Sequence, residues 1–132
     1  MFAMYKTTLK LILKKIWFDL ISSGIKLEEY REITPYYLNR LLTDAWGHKI
    51  DEKFVTDKHF LNKLKLSLNN LANGDDTSWL KYKHDAVTFY LGYASDRKSM
   101  TMDIESITIG EGKEEWGAEN GKEYFVIKLK EE

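Results

Sequence analysis

A chain of 132 residues has the length of one ordinary domain, and its 20 Lys and Arg against 21 Asp and Glu leave a formal charge of −1. That balance argues against a duplex-coating protein, whose affinity scales with the phosphates it neutralises, but allows a pocket for one nucleotide or a short single strand. The absence of cysteine excludes a disulfide framework, a thiolate zinc site and a cysteine nucleophile within this sequence, which suits a reducing compartment.

Near the start, Lys6 and Lys10 precede apolar residues in the manner of a signal peptide. The uninterrupted run Leu11-Ile12-Leu13 ends at Lys14, well short of the ~7–15 residues of a signal core. No stretch approaches the ~18 apolar residues of a membrane helix. The expectation is a soluble, unexported, cytoplasmic protein.

Residues 6–14 alternate, with Leu9, Leu11 and Leu13 on one parity, which predicts a half-buried strand. The period then changes. Ile16, Trp17, Leu20 and Ile21 form a helical stripe over 15–23, and Gly24 is placed to stop it. Alternation returns over 26–33 as a second strand. Thr34-Pro35 begins another helix, Thr34 as cap and Pro35 in the first turn. Tyr37, Leu38, Leu41, Leu42 and Ala45 supply its apolar stripe, and Gly47 closes it.

Residues 48–84 are highly charged and read as a helical insert within a single domain spanning 1–132. An amphipathic helix is expected over 57–72 from the spacing of Phe60, Leu61, Leu64, Leu68 and Leu71, ended by Asn73-Gly74-Asp75-Asp76. Three strands follow. Val87, Phe89 and Leu91 alternate in the first. In the second, Met100, Met102 and Ile104 share one parity while Ile107 and Ile109 share the other, which predicts a bulge near 105–106. Phe125, Ile127 and Leu129 form the last, with Lys128 and Lys130 outward. This order is an α+β arrangement with a mainly antiparallel sheet.

The segment 9–33 carries a motif: after the first strand and helix come Gly24, Lys26, Glu29 and Arg31, spaced G-x-K-x-x-E-x-R. A second stretch, Ile107-Thr108-Ile109-Gly110-Glu111-Gly112, then Glu115-Trp116-Gly117-Ala118 and Tyr124-Phe125-Val126-Ile127, accompanies it. Together they resemble ASCH domain proteins of the bacterial and phage type, within the PUA-like superfamily. The resemblance implies a PUA-like (ASCH) β-barrel with flanking helices and a cleft beside the motif strand. It also implies RNA-linked function. One branch of the family consists of acetylcytidine amidohydrolases, and another has nuclease activity. The amidohydrolase branch is similar at Gly24 and Lys26 but carries its catalytic threonine where this chain has Glu29.

In a regular strand Glu29 and Arg31 share a face, which fits either an ion pair closing the barrel or a fork presented to a phosphate or base edge. Lys26 falls on the opposite parity, as a solvated turn residue, an anion contact or a catalytic base if the protein is an enzyme. Tyr30 shares that parity and is suited to stacking on a base. The expected ligand-binding set is therefore Gly24, Lys26, Glu29, Tyr30 and Arg31, for RNA or a nucleotide-like ligand, with no metal and no cofactor. The alternative is a small hydrolase using the same cleft, with Lys26 catalytic. His48, His59 and His84 are too scattered for a metal motif, and Gly110-Glu111-Gly112-Lys113 lacks the Walker spacing. Trp116 reads as a packing residue, with capping of the cleft as the alternative. Lys6, Lys10, Lys14 and Lys15 form the best basic patch, read as a solvated face, with Asp103 and Glu105 as its neutralising partners or as a carboxylate pair.

Overall fold

The computed structural model describes residues 7–77 and 79–131. The first strand, β1 (Thr8–Leu13), buries Leu9, Leu11 and Leu13 on one parity, as its alternation predicts. Lys6 lies outside the described residues. Helix α1 (Lys15–Ser22) packs against the later strand β5 (Ala86–Leu91). The face it buries is Phe18 and Ile21, spaced i,i+3, while Ile16 is 58% exposed. The expected stripe through Ile16 is thus rotated, because two turns of helix offer several equivalent apolar edges and the sheet selects one.

Strand β2 (Glu28–Arg31) is shorter than the alternation over 26–33 suggests. Helix α2 (Pro35–Leu41) is capped by Thr34, whose side chain accepts from the Tyr37 N–H at 3.2 Å. It ends at Leu41 and does not run on to Gly47. Leu42 adopts extended backbone and opens β3 (Leu42–Asp44), which pairs antiparallel with β4 (Leu80–Tyr82). That ladder draws the buried Leu42 out of the helical stripe, a competition between segments 40 residues apart in register that local periodicity does not contain.

Between β3 and β4 lie a single helical turn, α3 (Lys53–Thr56), and the longer α4 (Lys58–Ala72). Asp57 caps α4 by accepting from the His59 and Phe60 N–H groups. Helix α4 lies against β6 (Ser99–Glu111) and buries Leu64 and Leu68 in the core shared with the sheet.

The main sheet runs β1-β5-β6-β7-β2, with β7 spanning Glu123–Leu129, and it curls strongly into a half-barrel. Three ladders are antiparallel, whereas β1 and β5 run parallel in register from Thr8/Ala86 to Leu13/Leu91. The parallel pair makes the sheet mixed. Such a pair needs a long crossover, and the helices and small hairpin between β1 and β5 supply it. The expected bulge is present: the β6–β7 register shifts between Ile104 and Ser106, leaving Glu105 as the extra residue. Ile104 and Ile107 consequently both reach the core from one continuous strand.

The two edges of the half-barrel, β1 and β2, are tied by side chains. Arg31 Nη2 on β2 donates to the Ile12 carbonyl of β1 at 3.2 Å, and Arg40 donates to the Lys10 carbonyl of the same strand. These arginines occupy acceptors that an edge strand otherwise offers to another chain. No described helix is long and apolar enough to cross a membrane.

Candidate functional site

The site begins with the turn that ends α1. Gly24, at φ +80°, lets the Gly24 N–H reach the Ile21 carbonyl while the Ile25 and Lys26 N–H groups both reach that of Leu20. The chain reverses there, before β2 starts at Glu28. Lys26 therefore precedes the ladder, and strand parity does not govern its direction. It points inward and is only 1% exposed, not a solvated turn residue.

Its ammonium is held on three sides. Nζ donates to Glu29 Oε1 at 2.9 Å and to the Trp116 carbonyl at 2.8 Å, and it lies 4.5 Å from the Trp17 ring centroid. Glu29, also buried, is shared between two cations. Its Oε2 accepts from Arg31 Nη2 at 2.7 Å and Nε at 3.2 Å. Arg31 spends its remaining contacts on Tyr37 Oη at 3.1 Å and the Ile12 carbonyl. Burial alone would lower the Arg31 pKa, but the Glu29 carboxylate and the Tyr37 hydroxyl hold the guanidinium above its ordinary value. Lys26, Glu29 and Arg31 thus form one continuous charge-assisted chain, with Arg31 doubling as the tie between the two edges of the half-barrel.

This chain forms one wall of a solvent-open cavity of about 380 Å³. Five aromatic residues, Trp17, Tyr30, Tyr37, Trp116 and Tyr124, line the rest, with Glu32 and Glu119 also present. Tyr30 is fastened at its hydroxyl, which donates to Glu28 Oε1 at 2.8 Å and accepts from the Lys113 N–H at 3.0 Å. Burial pushes its pKa well above the usual phenol range and Glu28 adds to that, so the hydroxyl stays protonated. Its ring sits 5.8 Å from that of Tyr124. Gly112 makes the position feasible: a Cβ there would come within 2.6 Å of the Tyr30 ring.

Of the residues singled out from sequence, Lys26, Glu29, Tyr30 and Arg31 line this one cavity. Gly24 does not. It turns the chain and lies on a separate concavity of about 500 Å³ with Ser22, Ser23, Met100 and Met102, which holds none of the motif's charged side chains. Trp116 both lines the cavity and supplies the carbonyl that Lys26 needs. Trp17, Tyr37 and Tyr124 escape sequence reasoning because each sits within an ordinary apolar pattern. The histidines stay apart in their contacts: His48 faces Asp44 at 3.6 Å, His59 packs on Phe60, and His84 contacts Thr7. Glu105 pairs with Lys128. Among the described residues no group of three or more His, Asp or Glu converges as a metal site would require.

No protein-family model matches this chain, and neither does any curated protein or solved structure.

Proposed function

We propose that the chain is an ASCH-type module of the PUA-like class that binds RNA or a modified nucleotide, taking the base into the cavity beside β2. The observation that carries this reading is the convergence of the Lys26–Glu29–Arg31 chain with five aromatic rings on one open cavity. The complete G-x-K-x-x-E-x-R spacing and the curled half-barrel sheet support the family assignment.

The local charge favours a base or nucleoside over a highly charged phosphate group. One buried and one half-buried cation face one buried carboxylate, Glu119 adds a negative charge, and Glu32 is paired with Lys122 at 2.8 Å. A nearly neutral, aromatic-walled cavity suits a planar heterocycle, which can stack on tyrosine or tryptophan while its polar edge meets fixed charges. Trp17 and Trp116 provide the assay: nucleosides and short single-stranded RNA titrated at low salt are expected to change tryptophan fluorescence saturably. Trp116→Ala, with its fold checked by circular dichroism, is expected to weaken the binding. No binding across a broad panel of nucleosides and RNA would sink the reading.

A second reading, a small hydrolase of N-acylated nucleosides or phosphodiesters, is favoured by one feature, the buried lysine–carboxylate pair beside open space. Against it, no serine or threonine among the described residues lines the cavity to serve as a hydroxyl nucleophile of the acyl-transfer kind. Turnover that disappears in Lys26→Met would support the hydrolase. Turnover that survives would place the activity elsewhere.

A further inference from the structure

A second concavity of about 450 Å³ adjoins the first and shares Arg31 and Tyr37 with it. It follows the seam between β1 and β2, where Arg40 and Arg31 donate to the Lys10 and Ile12 carbonyls. Its composition differs sharply from the first: Lys10, Arg40 and Arg97 add cations, and among the described residues no carboxylate lines it. Among the described residues no carboxylate pairs with any of these three. In a chain of net charge −1 that cluster is a local exception.

The cations are interleaved with tyrosines. Arg97 stacks over the Tyr90 ring at 4.2 Å, and Arg40 lies 5.5 Å from the Tyr36 ring while donating to its hydroxyl. Tyr36 is 62% exposed and Tyr93 is 82% exposed. Leaving large rings in water beside arginines that no described carboxylate pairs with lacks a packing explanation. It is the arrangement by which proteins track a single strand, with cations on the phosphates and rings under the unpaired bases. A duplex keeps its bases stacked inside and has no use for such platforms.

We propose that this groove is a track for single-stranded nucleic acid, carrying the phosphates and bases that flank a nucleotide held in the neighbouring cavity. The inference rests on the nucleotide-binding reading of that cavity and extends it from one nucleotide to a strand. Arg31 and Tyr37, common to both concavities, lie where the strand passes from one to the other.

The test uses the full chain, a fluorescently labelled unstructured oligoribonucleotide, its duplex, a free nucleoside and heparin. The oligonucleotide is expected to bind more tightly than the nucleoside. If Lys10, Arg40 and Arg97 each neutralise one phosphate, log K should fall with log salt at a slope of about −2. In the double variant Lys10→Gln/Arg97→Gln the slope should shrink to about −0.7, with nucleoside binding retained. Tyr93→Ala, on an exposed loop, should weaken oligonucleotide binding at least about fivefold without affecting folding. Nucleoside binding with no gain from the longer strand, or oligonucleotide binding unchanged in both variants, overturns the track while leaving the cavity reading intact. Groove-dependent oligonucleotide binding without any nucleoside binding removes the cavity reading and overturns the flanking role, leaving a strand-binding groove on its own. Equal competition by heparin or duplex, with the same variant dependence, overturns the track in favour of a general polyanion surface.

Discussion

At the scale of single residues, Glu29 is the pivot, because one buried carboxylate serves two cations. Its replacement and that of Lys26 are therefore unequal. Glu29→Gln leaves Lys26 and Arg31 facing each other without a counter-charge, and removing one partner of a buried pair costs about 3–5 kcal/mol. Lys26→Met keeps the Glu29–Arg31 pair and strands chiefly the Trp116 carbonyl, a loss of about 1–3 kcal/mol. Urea denaturation of the two variants should show that order; the reverse would mean that Lys26, not Glu29, organises the site. His84 gives the pH dependence. Burial, reinforced by Lys83 and Arg40, holds its pKa below the ordinary value, against a smaller opposing pull from Thr7 and Asp85. The folded chain thus takes up this proton less readily than the unfolded chain does. The contribution is present above the ordinary histidine pKa of about 6.5 and is lost as pH falls below it. His84→Gln should flatten the midpoint-against-pH curve across that window, and an unchanged curve would exclude His84 as its source.

At the scale of elements, the strand ends decide where the site's side chains stand. Gly112, just beyond β6, leaves the space that a Cβ would take from the Tyr30 ring and Ala118. Gly112→Ala would place a methyl within 2.7 Å of both, and overpacking of that kind costs about 1–3 kcal/mol. The variant is expected to melt lower and to bind nucleoside more weakly as Tyr30 shifts. A normal affinity would show that Tyr30's position is not part of recognition. The bulge at Glu105 was readable because a parity change within one strand is a local signal. The end of α2 was not, because Leu42 fits the helical stripe equally well and leaves it only to pair with Tyr82. Alternation makes β2 too long for a similar reason. Alternation continues through Lys26, although the turn at Gly24 has already taken that residue out of the ladder.

At the scale of the whole molecule, the half-barrel is joined across its open side by side chains, and Arg31 belongs to both seam and site. Substituting it therefore tests function and architecture together. Arg31→Lys keeps the charge but loses the fork that reaches Glu29, Tyr37 and the Ile12 carbonyl at once. Hydrogen exchange should become faster in β2, the four-residue edge strand, with β6 and β7 changing little. Uniform protection across all five strands would mean that the backbone ladders alone hold the curl. For the same reason, loss of ligand binding in Arg31→Ala cannot be read as loss of a contact unless the fold is measured alongside it.

What the sequence determined by itself is whatever depends on neighbours along the chain. That includes the alternating strands, the capped helices, the bulge, the near-neutral charge and the spacing of Gly24, Lys26, Glu29 and Arg31. Only the tertiary structure decided that Lys26 is buried against Glu29, that Gly24 turns the chain away from the cavity, and that β1 and β5 run parallel. It alone brings Trp17, Tyr37, Trp116 and Tyr124 to one cavity and sets Lys10, Arg40 and Arg97 along the seam beside it. The cavity and the seam are meetings of segments far apart in sequence, and even the Lys26–Glu29 pair, three residues apart, is held in place by the distant Trp116 carbonyl. Periodicity reports which face a residue occupies within its own element, but not which other element that face will meet.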